Sequence, residues 1–102
     1  MQMLFESSGE GEVSGLGWIE GVVSRFPAEH SGKKLKVPHV GMNVVRSNGN
    51  PLFYNLPEDP RFYFTHSYRV KDTPAENIAG VCEYGGKFIA AVQKDNIYGI
   101  QY

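Results

Sequence analysis

One cysteine in 102 residues excludes an internal disulfide and any cysteine-rich zinc site, and it fits a reducing cytosol. No apolar run approaches the roughly 18–20 residues of a membrane span, so a soluble cytoplasmic chain with no membrane partner is expected. Ten Lys and Arg stand against eleven Asp and Glu, a formal charge of -1. That balance leaves no basic footprint for nucleic acid and no polybasic patch for anionic lipid. The opening MQMLFESSGEGE is acidic and has no basic n-region, so it does not read as a signal peptide. Internal repeats, linkers and low-complexity tracts are lacking too. What is left, 41% hydrophobic and 21% charged, suits one small folded domain.

The strongest feature present is Arg61 to Lys71, RFYFTHSYRVK. Phe62, Phe64, His66, Tyr68 and Val70 alternate with Arg61, Tyr63, Thr65, Ser67, Arg69 and Lys71. Aromatic and β-branched residues at period two predict a partly buried strand, with the polar triplet His66-Ser67-Tyr68 at its centre. Around it the chain reads as strand-rich. Met1, Leu4, Phe5 and Ser8 share a face at helical spacing and predict one short N-terminal helix. Gly9 to Gly17 reads as an acidic loop. Its glycines suggest a phosphate cradle, but no Lys-Ser/Thr follows and Glu10 and Glu12 would repel phosphate.

Leu16 to Phe26 is a strand candidate with room for a bulge at Gly21. Pro27 to Lys36 is a polar hairpin or loop, and Leu35 to Arg46 a second strand that Pro38 places at an edge or bulge. Asn48-Gly49-Asn50-Pro51 is a strong turn, and Pro51 to Pro60 a loop or one helical turn. Ile78 to Tyr84, Gly85-Gly86 and Lys87 to Gln93 predict a hairpin, followed by a strand over Asn96 to Tyr102. Both ends read as interior sequence: MQMLF starts without a capping residue, and the final strand has nothing after it. A piece of a larger domain is expected.

Candidate chemistry is sparse. Cys82 could serve as a nucleophile with His30, His39 or His66 as base, yet it lies in the apolar run Ile78-Ala79-Gly80-Val81-Cys82, where an inert buried thiol is the simpler reading. His39 and His66 could pair on a metal, but no local third ligand accompanies them, and an imidazole donating to a backbone carbonyl is the commoner arrangement. Glu58-Asp59 lies between prolines and reads as a solvated turn. From residues alone, no catalytic set closes.

The order MQMLFESSGEGEVSGLGWIEGVV, KVPHVGMN, PLF, FYFTHSYRV, FIAAVQKDNIYGIQY resembles the class I glutamine amidotransferases, in the form that serves as the subunit of imidazole glycerol phosphate synthase. The similarity runs essentially end to end. It implies an α/β fold, an open flavodoxin-like sheet of which residues 1–102 form the later, β-rich half with one N-terminal helix. It also implies a glutaminase that needs no cofactor: a thiolate attacks the side-chain amide of glutamine, a histidine shuttles protons, and ammonia passes to a (β/α)8 cyclase barrel.

The family's nucleophilic elbow precedes the Met-Gln-x-Leu segment matched by Met1-Gln2-Met3-Leu4, and its catalytic histidine and glutamate follow the strand matched by Gly99-Ile100-Gln101-Tyr102. The resemblance therefore places the whole triad outside the chain, which is expected to be inactive alone, with no metal site. It assigns Gln2, Ser67 and Tyr68 to the substrate pocket and Pro38, His39, Gly41, Met42 and Asn43 to the face that meets the cyclase. Met42 departs from the family, which usually has Trp there. Two further readings stay open: an amidotransferase paralogue feeding a surface-sugar pathway, and a non-catalytic binding module.

Overall fold

The computed structural model describes residues 1–9, 13–47, 51–53, 56–57 and 60–102. Its strands are β1 (Ser7–Ser8), β2 (Val13–Ser14), β3 (Val22–Arg25), β4 (Glu29–His30), β5 (Lys33–Lys34), β6 (His39–Val44), β7 (Arg46–Ser47), β8 (Arg61–His66), β9 (Tyr68–Val70), β10 (Ile78–Glu83), β11 (Lys87–Lys94) and β12 (Ile97–Ile100). A mixed sheet runs β2-β1-β3-β9-β11-β10-β7, with β12 also on β11, and among the described residues only β1 and β3 pair in parallel. Two antiparallel ribbons, β4–β5 and β6–β8, stand apart from it. Three 3₁₀ turns, Gln2–Leu4, Pro51–Phe53 and Ala75–Asn77, complete the described elements. None of these is long and apolar enough to cross a membrane.

The β-rich expectation holds; the N-terminal helix does not. Gln2–Leu4 makes a single 3₁₀ turn, and Phe5 leaves it in an extended conformation. Phe5 is fully buried with Ile19, Val23 and Val70, and the backbone around it bonds outward: Phe5 O accepts from Gly17 N, Leu4 O from Trp18 N and Glu6 N donates to Gly21 O. Tertiary burial and these partners outweigh a helical spacing that has no cap to support it. The strand expected from Leu16 begins only after Gly21. Part of the Gly9–Gly17 loop is the strand β2, while Glu10, Gly11 and Glu12 lie outside the described residues, as do Asn48-Gly49-Asn50 and Glu58-Asp59.

The central aromatic strand forms as predicted and then breaks. In β8 the alternation is kept, with Phe64 and His66 buried and Tyr63 and Thr65 exposed. At Ser67 the chain leaves β6 and joins the main sheet between β3 and β11. There both faces are covered, so Arg69 and Val70 are buried side by side. The Arg69 guanidinium donates to Ser24 Oγ at 2.8 Å and Arg25 O at 2.9 Å, and lies 5.2 Å from the centre of the Phe26 ring. A buried charge needs such partners.

β11 separates two clusters, one built on Phe26, Phe53, Phe64 and Phe88, the other on Phe5, Ile19, Val23 and Val92. Ile89 and Val92 share the second cluster although three residues apart. Register shifts between Ile78 and Val81 account for this, because one slipped residue exchanges the faces of a strand. The hairpin turn into β11 uses Gly85 and Gly86 at φ 60° and 95°, the positive pair that a tight β-turn of this kind demands. Gly80 is required by contact instead: a Cβ there would sit 2.8 Å from Val45 Cγ1 and 2.9 Å from Phe53 Cζ. Gly80→Ala is expected to cost about 1–3 kcal/mol by overpacking; an unchanged thermal midpoint would contradict this packing.

Candidate functional site

The break at Ser67 opens a cleft of about 610 Å³, lined by Met1, Gln2, Met3, Pro38, Thr65, His66, Ser67, Tyr68, Ile100 and Gln101. All three residues assigned to a substrate pocket therefore line one cavity, with Gln2 brought to Tyr68 across 66 positions of sequence. The Gln2 amide nitrogen donates to Tyr68 O at 3.0 Å and to Gln101 Oε1 at 2.8 Å. The carbonyl of Tyr68 can only accept, which fixes the orientation of the Gln2 amide. With both amide protons engaged, Gln2 can offer a ligand its Oε1, an acceptor suited to an ammonium group.

His66 forms part of the cleft wall, and His39 lies behind it. His66 Nδ1 stands 2.8 Å from Tyr68 O, His66 Nε2 stands 3.0 Å from His39 Nδ1, and Asn43 Nδ2 stands 2.8 Å from His39 Nε2. One tautomer set satisfies every contact. His66 Nδ1–H donates to the carbonyl, so Nε2 accepts from His39 Nδ1–H, and His39 Nε2 accepts from Asn43. Both rings are neutral in this arrangement. Burial holds His39 down to about 4, helped by the neighbouring His66. Burial also lowers His66, against the opposing pull of its bond to Tyr68 O. Tyr84 stacks on His39 with centroids 4.0 Å apart and donates its hydroxyl to Lys36 O, and Phe64 also stacks on His39, with centroids 5.0 Å apart.

The two histidines thus meet as a hydrogen-bonded pair, and His66 takes the carbonyl-donating role weighed against a metal role in the sequence. Among the described residues, no group of three metal-capable side chains gathers. Cys82 is buried in the phenylalanine cluster and burial pushes its thiol up to about 11, so it carries negligible thiolate at neutral pH.

The residues assigned to a partner face divide. Pro38 and Met42 are exposed, with Val40 between them along the same strand, and Met42 faces the exposed Tyr63 across the ribbon. Gly41 is half-buried, at φ 137°. The His39 side chain turns inward and is 1% exposed, and Asn43, half-buried, points its amide at His39. Sequence reasoning missed Gln101 and Thr65 as cleft residues. Only the pairing of β12 with β11, continued by Gln101 N donating to Ala90 O, brings Gln101 to Gln2.

The model of the glutamine amidotransferase class-I family matches residues 1–102, the whole chain. The chain belongs to that family. Among curated proteins it is similar to imidazole glycerol phosphate synthase subunit HisH of Nitrosospira multiformis, 50% identical over 107 residues, covering 100% of the chain and 50% of that protein. The proteins of the same name from Dechloromonas aromatica and Leptospira interrogans are each 46% identical, covering 99% and 100% of the chain and 49% and 50% of those proteins. This class I amidotransferase chain spans about half the length of the curated relatives it matches.

Proposed function

We propose that this chain supplies the glutamine-binding wall of a glutaminase subunit of imidazole glycerol phosphate synthase, in histidine biosynthesis. The observation that carries the reading is the cleft in which Gln2, Ser67 and Tyr68 converge, in a chain 46–50% identical to proteins bearing that name. In this reading glutamine lies with its α-ammonium toward Gln2 Oε1 and its backbone end along the Ser67–Tyr68 peptide. The nucleophilic cysteine and its histidine and glutamate lie outside residues 1–102, and the parent domain is an open flavodoxin-like α/β sheet. Thiolate attack on the side-chain amide expels ammonia, which must stay out of bulk water to remain unprotonated before a (β/α)8 cyclase barrel receives it.

The outward side of the β6–β8 ribbon suits the cyclase contact, since Val40, Met42 and Tyr63 expose contiguous apolar area there. A methionine in place of the family's usual tryptophan adapts to more than one partner shape. That keeps the surface-sugar paralogue as the second reading, and a cyclase that fails to stimulate the glutaminase would favour it.

The test is ammonia release from glutamine by the full-length gene product with its cyclase. Turnover is expected. Gln2→Ala is expected to raise KM for glutamine roughly tenfold, the worth of one lost polar contact together with two unpaired neighbours. No turnover, or an unchanged KM in the variant, counts against the reading.

A further inference from the structure

Ligand binding does not account for the paired imidazoles: His39 is buried beneath aromatic rings and reaches the cavity only through His66, at the cleft wall. Yet they form a continuous path from Asn43 on the ribbon, through His39 and His66, to Tyr68 O, where Gln2 also donates. Each bond in that path has one permitted direction, because it ends on a carbonyl that can only accept. The directions are also interdependent. Were Asn43 withdrawn and His39 to carry its proton on Nε2, its bare Nδ1 would face the lone pair of His66 Nε2 at 3.0 Å. His66 would then have to move its own proton to Nε2, turning a lone pair toward Tyr68 O at 2.8 Å. That contact is repulsive, and the peptide lining the cleft must shift. Buried polar chains of this kind respond as a unit.

We infer that Asn43, His39 and His66 are positioning residues, a relay of fixed polarity through which the β6–β8 ribbon sets the geometry of the Ser67–Tyr68 peptide and Gln2. The inference rests on the glutamine-binding reading of the cleft.

The test uses the full-length gene product, with imidazole ¹⁵N NMR to identify the protonated nitrogen of His66 and steady-state glutaminase kinetics beside it. The wild type is expected to hold His66 as the Nδ1–H tautomer. His39→Phe keeps an aromatic ring against Tyr84 and Phe64 but removes the donor. It leaves the carbonyl of Tyr68 to hold the His66 proton on Nδ1 but strips Nε2 of its donor, and is expected to shift the ¹⁵N resonance of His66 Nε2 toward that of a free ring nitrogen and to raise KM roughly tenfold while kcat changes less than about threefold. His39→Asn returns a donor near the Nδ1 position and is expected to restore both readings in large part.

An unchanged His66 Nε2 resonance or an unchanged KM in His39→Phe overturns the relay. Should that variant not fold, Asn43→Ala interrogates the same path from its outer end, with the same expected directions and the same overturning results. A wild type that releases no ammonia defeats the glutamine reading and the KM effect with it. An active wild type whose His66 carries its proton on Nε2 defeats the relay alone.

Discussion

Replacing Phe88 by alanine is expected to lower the unfolding free energy by about 3–5 kcal/mol. Phe88 is fully buried. Its ring lies 5.5 Å from Phe26, 5.7 Å from Phe64, 5.8 Å from His39 and 5.1 Å from His66, in edge-on or tilted contacts. Truncation removes the apolar area and opens a cavity that the surrounding rings cannot close, because each is already held by another contact. The result is a large part of the roughly 5–15 kcal/mol that stabilises a typical domain. Phe88→Leu fills most of the volume and is expected to cost under about 1.5 kcal/mol. Urea unfolding of the purified gene product measures both. A loss below about 1 kcal/mol for the alanine variant would mean that the phenylalanine cluster does not hold the sheet to the ribbon.

Acid weakens the fold in a window set by the two buried histidines. An unfolded histidine titrates near 6.5; in the fold His39 titrates at about 4 and His66 below its ordinary value, burial being the main cause for each. Between these limits the unfolded chain binds more protons than the folded one, so stability rises with pH. The contribution is fully present above about pH 6.5 and is lost as pH falls from there toward about 4. For His39 alone the loss between about pH 7 and pH 5 is on the order of 2 kcal/mol. Geometry gives the same sign, since a proton on either bare ring nitrogen sets two N–H donors against each other. A urea midpoint unchanged between pH 7 and pH 5, at constant slope, would contradict the neutral pair.

Strand identity was legible wherever local pattern and burial agree. RFYFTHSYRVK announced β8, Gly85-Gly86 the hairpin of β10 and β11, and the stretch from Leu35 to Arg46 contains β6, which begins just after Pro38. The failures lie where long-range neighbours decide. The break at Ser67 leaves no mark in the alternation of residue types, because β9 takes its ladder partners, β3 and β11, from elements distant in sequence. Met1, Leu4, Phe5 and Ser8 carry a helical spacing, but Phe5 is drawn into a core made by Ile19, Val23 and Val70. The site was half legible. Gln2, Ser67 and Tyr68 came from a resemblance and do share a cleft, whereas Gln101 joins it through a strand pairing that no spacing reveals. His39 and His66 were visible as a possible pair, but the direction of their bond follows only from the carbonyl at its end.

The β6–β8 ribbon has its own ladder, yet both of its strands run on into the main sheet. Past Val44 the first continues as β7, on β10, and past Ser67 the second continues as β9, on β3 and β11. A flap fastened along one side would swing and leave its frame at rest. This one is fastened at two corners to different strands, so it cannot hinge freely. A load on its outer face becomes shear across the sheet, and one of the two fastenings is the strand that begins with Tyr68.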